Sequence, residues 1–204
     1  MLESFKRVTN AVVGLVNRAG VNNSRAVAAL APQEDRISFL SSVRRCGSQG
    51  FSLGSLSEAS LRITKTRFLT IPKGLSFSLA DKKDVVVYDL NADAFVSQVE
   101  APTNLEIHKL VYRSANHKAS LLCHPKWTFR LFSGGRNLDY SFFPALEGMI
   151  GEVAVGEVEA LEQLLSTHSL IFIRNIGLLS LGETLDQALE RVELLEWICW
   201  QNRP

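Results

Sequence analysis

The stretch "SLLCHPKW" at residues 120–127 reads as an apolar strand that runs into a histidine and a proline. A histidine ending a strand is a natural metal ligand. Alternate strand positions point to one side, so the residue at position 122 shares the side of His124. That position is Leu122, which coordinates nothing. Zinc usually takes three or four protein ligands, so His124 needs partners from elsewhere. Cys123 lies between the two positions and faces away from them, while Cys46, Cys123 and Cys199 form no CxxC pair. This pattern disfavours a thiolate zinc site and fits reduced thiols. Glu106, in "TNLEIH", reads as a capping-box partner of Thr103. The carboxylates left to join His124 are Asp139, Glu147 and Glu152, from a turn-rich segment whose elements the pattern does not place. His117 and His168 stand near strand starts and are expected to face solvent.

The elements that must position these groups alternate along the chain. A helix is expected over 34–47, with Ile37, Leu40 and Val43 on its apolar face. The Gly- and Ser-rich "CGSQGFSLGSLSE" ends it. "SLRI" at 60–63, "RFLTI" at 67–71 and "DVVVYDL" at 84–90 then form a small antiparallel meander, with "PKG" as a turn. A helix opens at Pro102 or Thr103, carrying Ile107, Leu110 and Val111. The strand 119–123 follows, and "PKWTFRLF" starts another turn or helix. "EVEALEQLLSTH" reads as an amphipathic helix, "SLIFIRN" and "GLLSLG" as strands. "TLDQALERVELLEWICW" reads as a terminal helix with Leu185, Ala188, Leu189, Val192 and Leu195 on one face. This alternation implies a layered α/β domain.

With 204 residues, 46% hydrophobic and 21% charged, the chain can bury one substantial core. A net charge of +1 with no basic stripe sets nucleic-acid binding aside. No apolar run approaches the roughly 18 to 20 residues needed to span a bilayer. Residues 1–33 are read as an N-terminal helical extension and 34–204 as the domain. Phe5, Val8, Val12 and Leu15 recur at helical spacing among Lys6, Arg7, Arg18 and Arg25, a composition shared by helices of mature proteins and by mitochondrial presequences. The expected location is cytoplasmic, with mitochondrial as the alternative.

The order of motifs resembles that of the class II aldolase/adducin family. "IHKLVYRSANHKASLLCHPKW" is similar to its helix, strand and His-x-His-Pro segment. "RNIGLLSLGETLDQALERVELLE" is similar to its Asn-His-Gly strand pair and following helix. "GFSLGSLSEASLRITKTRFLTIPKG" is similar to its Gly-Asn-x-Ser-x-Arg loop and Thr-Pro-x-Gly turn. The resemblance implies a three-layer α/β/α fold with a mainly antiparallel central sheet, assembled as a homo-oligomer. It further implies cleavage or isomerisation of small sugar phosphates, with a zinc-type ion held by three histidines and a glutamate that moves protons.

Single positions depart from that pattern. The three ligand positions hold Leu122, His124 and Ile176, and the glutamate position holds Asn104. The first two places of the phosphate loop hold Ser57 and Glu58, and a carboxylate at Glu58 is expected to repel a phosphate dianion. Pro102 and Thr103 replace the serine pair before the glutamate. Lys73, Thr103 and Ser60 are the residues left to hold an anion. Pro125, Gly177 and Gly182 match the scaffold.

The expectation is therefore a catalytically degenerate member, without cofactor, acting as a structural or interaction module. Adducin, whose head domain keeps the fold and lacks aldolase activity, is the precedent the resemblance supplies. A protein partner would suit such a module, and Trp197 and Trp200, three apart on one helix face, suit either a subunit contact or the core. The alternative is a divergent lyase, epimerase or dehydratase that holds zinc or another divalent metal through His124 and relocated carboxylates. In the degenerate case Leu122 and Ile176 are one compensated change that closes the cleft.

Overall fold

The computed structural model describes residues 30–203 apart from positions 115 and 142. The expected helix within the first 30 residues thus lies almost wholly outside the described residues. Helix α1 spans Gln33–Ser48, with Glu34 and Asp35 in the first turn, where the helix dipole favours negative charge. It buries Phe39, Leu40, Val43 and Cys46. Ile37 does not join that face and is 50% exposed.

The strands β1 (Glu58–Thr64), β2 (Arg67–Thr70), β3 (Val86–Asp89) and β4 (Ala94–Phe95) form the meander. Helix α2 (Leu105–Ser114), strand β5 (Ala119–Cys123) and helix α3 (Lys126–Ser133) follow. The segment left unplaced by the sequence pattern contains helix α4 (Ala145–Ile150) and strand β6 (Val153–Gly156). The amphipathic helix expected at 157–168 is much shorter: a 3₁₀ turn at Val158–Ala160 and helix α5 at Leu161–Leu164. Strands β7 (Leu170–Ile173) and β8 (Gly177–Gly182) and helix α6 (Leu185–Gln201) complete the chain. Thr184 caps α6 by accepting from the Gln187 N–H at 3.1 Å.

The eight strands make one sheet in the order β4-β3-β2-β1-β5-β8-β7-β6. Every pairing is antiparallel except β6 with β7. Strand alternation divides the core in two. Ala59, Leu61, Leu121, Cys123, Leu170, Phe172 and Leu178 pack on one face with α1, α3, α4 and α6. Phe68, Leu122, Ile171, Ile173, Leu179 and Leu181 pack on the other with Val111 and Tyr112 of α2 and with Leu161. These are the three layers expected of the sequence. Because position 122 belongs to the second face and position 123 to the first, Cys123 points away from the site as its place between the two ligand positions implied.

Candidate functional site

The site positions lie where β1, β5, the β7–β8 turn and the start of α2 meet. In the register of β1 with β5, Glu58 stands opposite Leu122 and Ser60 opposite Ser120. At the far end of β5, the His124 ring sits between two partners. Its Nε2 lies 2.8 Å from the Ile176 carbonyl and its Nδ1 lies 3.2 Å from the Ser57 hydroxyl. A carbonyl can only accept, so Nε2 carries the proton and Nδ1 accepts from Ser57. Burial pushes the His124 pKa below the usual histidine value, against the opposing pulls of the Ile176 carbonyl and Glu58. The neutral ring therefore has no lone pair free for an ion. Gly177 permits the close approach: a Cβ there would stand 2.9 Å from the Cys123 carbonyl oxygen and 3.2 Å from His124 Nε2.

Leu122 is 0% exposed and Ile176 packs on the same apolar cluster. The donor set does not fit a divalent metal. Two of the three ligand positions are alkyl groups joined in a core, and the third has both nitrogens engaged. The relocated carboxylates do not help. Asp139 accepts from the Ser141 N–H at 2.8 Å, its backbone N–H donates to the Asn202 side chain, and Glu147 is exposed. Glu152 pairs with His168 at 3.7 Å. Among the described residues no three His, Cys, Asp or Glu side chains converge on one point. His117 and His168, expected at the surface, are both half-buried.

The other end of the site is polar. The Glu58 carboxylate is only 5% exposed and accepts from the Asn104 backbone N–H with both oxygens, at 2.9 and 3.0 Å. It also accepts from the Asn104 side-chain amide at 3.2 Å. Glu58 thus satisfies an orphan backbone donor just before α2, one that a Thr103–Glu106 capping box would not have reached. Glu106 instead bonds Lys109 at 2.7 Å, and the helix starts at Leu105, later than the sequence suggested. Glu58 was the functional group that sequence reasoning missed. The available signal was an Asn at the start of α2 with a carboxylate at the matching place of an earlier strand.

His108 lies beside Glu58, 0% exposed. Its Nε2 stands 3.5 Å from Glu58 Oε2 without making a hydrogen bond, and its Nδ1 is 2.8 Å from Ser60 Oγ and 3.1 Å from Ser120 Oγ. Ser60 also bonds the Tyr112 hydroxyl at 2.8 Å, and burial holds that phenol well above its ordinary pKa. Serine, histidine and carboxylate in sequence suggest a nucleophile relay, but Ser60 is 0% exposed and its oxygen is committed on both sides. No substrate atom can reach it. The burial that rules out a nucleophile also rules out Ser60 as an anion ligand. Of its expected companions, Thr103 is exposed and Lys73 is paired with Glu100 at 2.9 Å.

With these contacts in place, the family can be stated. The chain belongs to the class II aldolase and adducin N-terminal domain family, whose model matches residues 38–202. Its fold is shared with YgbL from Klebsiella pneumoniae, at 21% identity and a TM-score of 0.72 over 84% of this chain and 89% of that one. It is shared with an L-fuculose 1-phosphate aldolase from Glaciozyma antarctica, at 20% identity and a TM-score of 0.72 over 83% and 73% of the two chains. A third neighbour is the L-fuculose-1-phosphate aldolase of Thermus thermophilus, at 19% identity and a TM-score of 0.67 over 81% and 91%. No curated protein matches the sequence. Among the described residues no helix is long and apolar enough to cross a membrane.

Proposed function

We propose that this chain is a catalytically degenerate class II aldolase-like protein, retained as a homo-oligomeric structural or interaction module. The observation that carries the reading is the state of the three ligand positions. Leu122 and Ile176 share one apolar cluster, and His124 spends its Nε2 proton on Ile176 and its Nδ1 lone pair on Ser57. An ion at that point would have to break two hydrogen bonds and would gain a single imidazole. The carboxylate that could move protons is likewise committed to Asn104 and sealed from solvent.

Protein purified without chelator and dialysed against zinc should retain far less than one ion per chain by elemental analysis. It should leave ketose 1-phosphates uncleaved. Stoichiometric zinc that is lost on His124→Ala, or turnover of such a substrate, would overturn the reading.

A further inference from the structure

Helix α1 and the 3₁₀ turn at Lys82–Asp84 border a cavity of about 190 Å³, lined by Gln33, Arg36, Ile37, Lys82 and Val85. It lies away from the candidate site, because α1 and Val85 pack on the sheet face opposite to that of Leu122. Gln33, Arg36 and Ile37 stand three and four residues apart, so one face of α1 supplies all three. The facing wall is held in place. Arg44 donates from Nε to the Ala80 carbonyl at 2.8 Å and pairs through Nη2 with Asp81 at 3.2 Å. Val85, 1% exposed, anchors the same segment in the core.

Among the described residues this lining holds two cations and no carboxylate. Arg36 is half-buried and its Nε is sealed from solvent, yet that N–H has no hydrogen-bond partner among the described residues. A buried donor without an acceptor is destabilising, so a guanidinium held this way calls for an anion. The acids of the facing turn are turned elsewhere. Asp81 accepts from Arg44 at 3.2 Å and from the Lys82 backbone N–H at 2.7 Å, and Asp84 accepts from the Asp81 N–H at 2.9 Å. Ile37, 50% exposed, departs from the buried face of α1 and with Val85 gives the cavity an apolar wall.

We propose that this cavity binds a small organic carboxylate. The carboxylate accepts from the Arg36 guanidinium, whose planar fork matches its two oxygens, and Lys82 adds a second, looser charge. The hydrocarbon part of the ligand lies against Ile37 and Val85, with the Gln33 amide at the rim. An apolar cavity of about 150 Å³ is enough to hold benzene, so this one takes an aromatic or short-chain acid. A fully polar anion such as phosphate would leave the apolar wall uncovered. The inference goes beyond the module reading and does not rest on it, since neither metal content nor aldol cleavage enters its test.

Titration of the full-length chain with benzoate tests it, read at the Arg36 Nε–H resonance and in the melting midpoint. The resonance should move and saturate in the low millimolar range, as suits a ligand of that size, and the midpoint should rise. Acetate and inorganic phosphate should each bind about fivefold more weakly or worse, since neither covers the apolar wall. Arg36→Met should weaken benzoate about tenfold or more, while the midpoint of the unliganded protein holds or rises, because no bond within the fold is lost. Lys82→Gln, at an exposed cation, should weaken it only about threefold. Ile37→Ser should narrow the gap between benzoate and acetate. Benzoate that fails to saturate, or that binds the Arg36→Met protein equally well, is an adventitious anion only and overturns the proposal. So does phosphate that binds as tightly as benzoate, or an Arg36→Met protein with a lowered midpoint, which would give Nε a partner inside the fold.

Discussion

The two ends of the candidate site are filled by opposite chemistries. At the β5 and β8 end, Leu122 and Ile176 fill the space with alkyl groups and His124 is tied to backbone. At the α2 end, a carboxylate, an imidazole and three hydroxyls fill it with hydrogen bonds. The apolar end gains from removal of surface from water, a diffuse contribution that tolerates variation in shape. The polar end gains only while each donor keeps its acceptor, because a buried polar group left without a partner costs more than its bond contributed. The two ends should therefore fail differently.

The largest effect is expected at the apolar end. Leu122→Ala should lower unfolding free energy by about 2 to 5 kcal/mol in denaturant melts, the range for a packed leucine. A loss well under 1 kcal/mol would mean that the cleft is open and would erase the contrast. At the polar end, Glu58→Gln keeps the shape and removes the charge, and should cost about 1.5 to 3 kcal/mol, since each bond to a charged acceptor is worth about that much. A neutral result would show that the Asn104 N–H finds water. Ser57→Ala should cost about 1 kcal/mol, the loss of one ordinary hydrogen bond.

The smallest effect is one of pH. The His124 pKa is depressed in the folded state, so the unfolded chain binds the extra proton first. Stability is full above the ordinary histidine value of 6.5 and falls as pH drops below it towards the folded pKa. His117, depressed by burial and Arg191, contributes with the same sign. Melting midpoints should therefore decline on acidification from neutral pH. His124→Gln in a His117→Gln background should flatten that decline, and an unchanged slope would remove His124 from the account.

Much of the scaffold was legible because period and punctuation are local. The apolar stripe of α6, the strand 119–123 and the start of α3 after Pro125 all follow from near neighbours in sequence. Helix α5 was overestimated because "EVEALEQLLSTH" has helical spacing along its whole length. The fold uses only Leu161 and Leu165 as fully buried anchors and leaves Val158 42% exposed. The two-residue β4 carries too little pattern to be seen. In the site, the alkyl side chains Leu122 and Ile176 at two positions where the family resemblance places ligands were readable from residue type alone. The role of Glu58 was not, because its partner Asn104 lies 46 residues away and no local pattern links the two.

The bond from His124 to the Ile176 carbonyl ties the three family ligand positions to one another. Returning histidine to position 122 alone places an imidazole in a sealed apolar cluster, opposite Glu58 and with no ion to hold it. Placing it at position 176 removes an alkyl group packed against the same cluster. Each single reversion lowers stability before any metal can bind, and the benefit arrives only when several changes are made together. On the proposed reading, single substitutions towards a metal site are therefore disfavoured, and change is tolerated mainly on the outside of the fold.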